Sequence, residues 1–132
     1  MARTKSDEEF LDALTELLRA EGIEGLTVGE IASRVHCSRR RLYELAETKE
    51  EIFLAVVQHF FDSLLAEGET LIRAERDQTA AIAAYLDVGV RAAHRMSARF
   101  LKEVEASAPA SAVFDRYQQR RTVRLSELID DG

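Results

Sequence analysis

Tryptophan is absent from this 132-residue sequence, which holds one cysteine, one proline and six glycines. Each shortage excludes something. A single thiol, Cys37, allows no internal disulfide and fits a reducing compartment. So few turn-forming residues argue against a sheet, which needs frequent punctuation between strands. No run approaches the ~18 uninterrupted apolar residues of a membrane span. The opening MARTKSDEEF lacks the apolar centre of an export signal. These features predict a cytoplasmic protein with no membrane association. Catalytic signatures are missing as well: there is no Gly-rich phosphate loop, nucleophile motif or HExxH. His36, His59 and His94 are scattered, and the dipeptide His36-Cys37 is too short a signal for zinc. No catalytic residue, metal or cofactor is expected, and the reading is of a protein that is not an enzyme.

What is present is a globular balance, 46% hydrophobic and 32% charged residues, on a chain long enough to bury roughly two-thirds of its unfolded surface. The formal net charge of -6 disfavours nonspecific coating of nucleic acid, but it leaves room for a local basic surface.

Helix-start signals recur. SDEE at 6–9, TVGE at 27–30 and TKEE at 48–51 each read as a capping box, a hydroxyl cap with a glutamate three residues on. The first opens a helix over about 7–21, with Phe10, Leu14, Leu17 and Leu18 on one face, closed by the glycines of EGIEG. The second opens a short helix, about 28–35, with Val28, Ile31, Ala32 and Val35 inward. Ser38 caps a third running to about 46, and the third box opens a long one, about 49–75. Further helices are expected over about 79–95, with Ile82, Tyr85, Leu86 and Val90 as its stripe, and over about 97–106. A last one, with Pro109 in its first turn, runs to about 130 and carries Val113, Phe114, Tyr117, Val123, Leu125 and Leu128. No segment alternates with a period of two. The fold class is all-α.

The segment SRVHCSRRRLYELAETKEEIF, 33–53, sets three arginines in succession within an acidic chain. A short helix, a tight turn and a second short helix make a helix-turn-helix. Ala32 supplies the small residue at the crossing, and His36 falls where positive φ is needed. With Leu42 and Leu45 inward, Arg39, Arg40, Tyr43 and Glu44 point to solvent and Arg41 sits at the boundary. Arginines oppose the helix dipole at an N-terminus, at a few tenths of a kcal/mol each. Phosphates and guanine edges are the ligands that recover this cost. The bland alternative is a solvated charge run balanced by Glu44, Glu47 and Glu50. Cys37 reads as a small filler between helices.

LTVGEIASRVHCSRRRLYELAETKEEIF resembles the DNA-binding segment of TetR-family transcriptional repressors, with similarity over roughly residues 6 to 61. The resemblance implies that Thr27, Tyr43 and Lys49 contact phosphates, and that Ser38, Arg39, Arg40 and Arg41 lie against bases or adjacent backbone. Lys49 equally suits an i,i+4 pair with nearby acids. Two positions depart from the family pattern: His36 replaces the usual glycine, and Ala46-Glu47 replaces an aromatic followed by proline. The implied organisation is a DNA-binding domain at 1–48 and a helical regulatory domain at 49–132, incomplete at its C-terminus because the family's two dimerisation helices do not follow LIDDG. The implied partners are a double-stranded DNA operator, a small-molecule effector and, on family grounds alone, a second copy of the chain. Phe60, Leu64, Tyr85, Val88, Phe100 and Phe114, with Arg91 and His94 as a polar end, are the candidate effector pocket, although an apolar stripe does not distinguish a cavity from a filled core. The function implied is a DNA-binding repressor released by the effector. The alternative is a helical interaction module that does not read DNA.

Overall fold

The computed structural model describes residues 6–131, and among these residues there are seven helices and no strand. They are α1 (Asp7–Glu21), α2 (Val28–Arg34), α3 (Arg39–Leu45), α4 (Lys49–Ala74), α5 (Gln78–Arg95), α6 (Ala98–Ala106) and α7 (Ala108–Asp130). Every start carries an oxygen cap: Ser6, Thr27, Ser38, Thr48, Asp77, Ser97 and Ser107 each accept the backbone N–H three residues on. This removes one of the orphan donors that any helix leaves at its N-terminus. The reciprocal half of a capping box forms only in α2, where Thr27 N–H donates to Glu30 at 3.1 Å and holds that carboxyl below its usual range. In α1 the Glu9 carboxylate takes the Ser6 hydroxyl instead, and in α4 Glu51 takes the Glu47 N–H. The three boxes expected from sequence are therefore three caps and one box.

The 26-residue α4 is the spine of the fold. Ile52, Phe53, Val56, Val57, Phe60, Phe61 and Leu64 are buried along it, a stripe wide enough to serve several neighbours at once. Adjacent aromatics divide the work. Phe53 and Phe60 each meet Phe100 of α6 edge-on at 5.7 Å, while Phe61 stacks on Phe114 of α7 at 5.3 Å and lies 4.7 Å from Tyr117. The main core runs without interruption across the expected boundary at 48/49, joining α1, α2 and α3 to α4, α6 and α7. A small second cluster of Ala81, Tyr85 and Leu128 closes the far end.

Three residues assigned inward by periodicity are exposed: Leu86 and Val90 on α5 and Val123 on α7.

Tyr85 reaches its place because α4 has no side chain at Gly68, where a Cβ would stand 2.7 Å and 3.0 Å from ring carbons. Alanine normally gains about 1 kcal/mol over glycine in a helix interior. Here the gain is offset by overpacking of about 1–3 kcal/mol. Gly68→Ala is expected to lower Tm by about 3–5 °C in a thermal melt, against the sign that helix propensity alone gives.

Candidate nucleic-acid interface

Helix α2 ends in a left-handed residue, His36 at φ 57°. The His36 N–H bonds Ser33 C=O at 3.3 Å and the Cys37 N–H bonds Ala32 C=O at 2.9 Å. That pair of bonds is a Schellman C-cap, and the residue after its left-handed position packs back on the helix. Cys37 does so, partly buried against the main core. Histidine is among the residues that tolerate this backbone, so the departure from glycine leaves the turn intact.

Ser38 then caps α3, accepting from Arg41 N–H at 3.1 Å. Leu42 is fully buried, which fixes the roll of the helix. The three arginines consequently diverge. Arg40 is 89% exposed, and its ion pair among the described residues is with Glu44, at 3.4 Å across one turn. An exposed pair of that kind is worth about 0.3–0.5 kcal/mol and yields easily to a stronger anion. Arg39 is exposed, with no ion pair among the described residues, and lies over Gly29 in the first turn of α2, where a Cβ would stand 2.5 Å from its Nη2. Arg41 turns to the body: its guanidinium sits 3.1 Å from Asp7 and 4.7 Å above the Phe10 ring. Arg39 and Arg40 are thus exposed and Arg41 lies at the boundary, partly buried against α1. Tyr43 is 49% exposed on the outer face of α3.

Thr27 and Ser38 are exposed caps whose hydroxyl oxygens already accept from backbone. The Lys49 ammonium donates to Glu24 C=O at 3.2 Å and so ties the start of α4 to the turn before α2. No i,i+4 ion pair of Lys49 forms among the described residues.

With this geometry in place, comparison with known proteins becomes informative. Residues 10–56 match the family described as bacterial regulatory proteins, tetR family. The similarity covers most of α1, the helix-turn-helix and the start of α4. The fold as a whole is similar to the ketosteroid transcriptional regulator KstR2 of Mycobacterium tuberculosis, at TM-score 0.61 and 20% identity over 92% of this chain and 65% of that one. It is also similar to the protein described as superantigen pfit, at TM-score 0.62 and 20% identity over 90% of this chain and 63% of that one. The chain thus spans a little under two-thirds of either solved chain. No curated protein matches it significantly.

Behind the TetR-type segment, the eight residues expected to form an effector pocket differ in burial. Phe60, Leu64, Val88 and Phe100 are packed into the main core, and Phe114 is stacked on Phe61. Arg91 is exposed and paired with Asp87 at 2.9 Å, and His94 is exposed. Tyr85 borders an open groove.

Sequence reasoning missed what joins the TetR-type segment to the helices behind it. Glu103 of α6 is 8% exposed, and its carboxylate accepts the N–H groups of Ile23, at 2.9 and 3.1 Å, and Glu24, at 2.9 Å. Gly22, at φ 77°, lets the chain pass, since a Cβ there would meet Arg99 at 2.6 Å and Glu103 at 2.8 Å. Ser97 N–H bonds Arg19 C=O at 3.0 Å, and Arg19 donates to Arg95 C=O at 2.9 Å. Glu103→Ala leaves two amides without their acceptor, a loss of about 2–3 kcal/mol. The expected fall in Tm is about 5–10 °C, with a smaller fall for Glu103→Gln, which keeps one accepting oxygen.

Proposed function

We propose that this chain acts in the cytoplasm as a DNA-binding transcriptional regulator, a repressor that a small-molecule effector releases from its operator. The observation that carries the reading is the outward pair Arg39 and Arg40 at the start of α3, in a helix-turn-helix whose roll is set by buried Leu42. A recognition helix contacts base edges with its N-terminal residues. Guanidinium groups there match guanine O6/N7 or phosphate oxygens. Tyr43 on the same outer face and the exposed Thr27 hydroxyl supply neutral phosphate contacts. Arg41 and Lys49 act from behind, holding α3 to α1 and α4 to the turn before α2. KstR2, described as a transcriptional regulator, shares the fold at 20% identity, which is compatible with this role.

A second reading, a helical interaction module, draws on Glu44, which places a carboxylate beside Arg40 on the surface that would meet DNA. Fluorescence anisotropy on DNA from the gene's own promoter separates the two. A reader loses about 10-fold in affinity on Arg39→Ala and on Arg40→Ala, and its binding falls steeply with salt. Arg41→Ala is expected to lower Tm and to leave the salt slope unchanged. Unaltered binding in both outward variants, or none at low salt, favours the interaction module.

A further inference from the structure

The arginines of the helix-turn-helix are held in two different ways. Arg34 is paired with Glu21, Arg40 with Glu44 and Arg41 with Asp7. Arg39 has no ion pair among the described residues, and its place is set by shape. A Cβ at Gly29 would stand 2.5 Å from its Nη2, 3.1 Å from its Nε and 3.2 Å from its Cζ. One side of the guanidinium therefore rests on the first turn of α2, in the space that a side chain at 29 would take. The carboxylate of Glu30, the next residue, accepts the Thr27 N–H and forms no pair with Arg39. The backbone does not require glycine at this point. Among the described residues Gly22 is the glycine at positive φ, and Gly29 is an ordinary helical position, where alanine is the better former.

The two outward arginines consequently suit different ligands. Arg39 carries its charge unopposed over α2, and in a helix-turn-helix the first helix crosses the DNA backbone while the second enters the groove. A cation seated there meets phosphate, which takes a guanidinium through charge-assisted hydrogen bonds. Arg40 stands one turn from Glu44, whose carboxylate repels phosphate. A guanidinium with a carboxylate beside it matches a base pair instead, the arginine on guanine O6/N7 and the glutamate on cytosine N4.

We infer that Gly29 is a positioning residue for DNA recognition: its missing side chain seats Arg39 on α2 as a phosphate contact and leaves base reading to Arg40 with Glu44. The inference rests on the regulator reading and divides the labour within it. Alanine at 29 displaces the end of a flexible, exposed side chain, so its effect falls on DNA binding and not on the fold.

Anisotropy over a salt series, on promoter DNA and on a scrambled duplex of equal length, tests the assignment. Gly29→Ala is expected to weaken both duplexes equally, by about 5- to 10-fold, and to lower the salt slope by about one phosphate contact. Its Tm is expected to hold or rise, since alanine favours the helix. In an Arg39→Ala background the same substitution is expected to change nothing further, because the group it displaces is gone. Arg40→Ala is expected to weaken the promoter duplex about 10-fold and the scrambled one less. Wild-type affinity and salt slope in Gly29→Ala overturn the positioning role, as does a lowered Tm or a loss that persists without Arg39. A loss confined to the promoter duplex overturns the phosphate assignment, and equal weakening of both duplexes by Arg40→Ala overturns the base-reading one. Each of these leaves the regulator reading standing while the unaltered chain binds promoter DNA. An unaltered chain that binds neither duplex at low salt overturns the regulator reading, and the role of Gly29 with it.

Discussion

A buried carboxylate is costly unless donors surround it, and the donors of Glu103 come from one place, the backbone of Ile23 and Glu24. This bond set decides where the helix-turn-helix stands relative to the rest of the molecule. The turn carrying those amides leads directly into α2, and α2 carries α3 through the Schellman cap at His36. Moving α6 by the length of a hydrogen bond therefore strands either the charge or the amides. The arrangement is tolerant of rotation within the rear half only so far as Glu103 keeps its partners.

The second constraint is that α4 belongs to both halves. Its first turn is tied by Lys49 to Glu24, its middle is wedged by Phe100 between Phe53 and Phe60, and its far half faces α5 and α7. Close-packed aromatic contacts of this kind transmit displacement because the interior has no slack to absorb it. Coupling between a ligand on the rear face and a partner at α3 would pass through this helix, and it would be equal in both directions. The same packing holds four of the eight residues expected to enclose a pocket inside the core. Phe60, Leu64, Val88 and Phe100 satisfy one another, and what remains open is the seam at the edge of the core, where side chains are long and charged.

Helix number and nearly all boundaries were legible in the sequence, and the first four starts were so because hydroxyl caps act locally on amides three residues away. The turn at His36 was legible for the same reason. What was not legible is long-range. Asp7 and Arg41 are 34 residues apart, Glu103 and Ile23 are 80 apart, and no periodicity encodes either meeting. A weak signal existed for Glu103: it shares the face of Phe100 and Val104, both fully buried, and a glutamate on that stripe needs donors from another segment. Leu86, Val90 and Val123 erred in the opposite direction, since a helical stripe gives the direction of a core without its breadth.

The arginines follow a geometric rule that their sequence conceals. Successive helical residues are set about 100° apart, so three in a row sweep about 200° of the surface. A helix with one face buried cannot present all three outward. In α3 the inward one is Arg41, stabilised by Asp7 and the Phe10 ring, and in α7 the corresponding inward positions are Arg121, between two tyrosines, and Arg124, against Glu69. The outward ones, Arg39 and Arg40 at one end and Arg116 and Arg120 at the other, remain available to anions from outside. With a net charge of -6 the long-range field of the chain repels any polyanion. Attraction arises only where those guanidinium groups come within a Debye length, about 8 Å at physiological salt. Attraction of an anion to either pair is therefore a contact effect, dependent on the placement of two side chains and insensitive to the sum of charge.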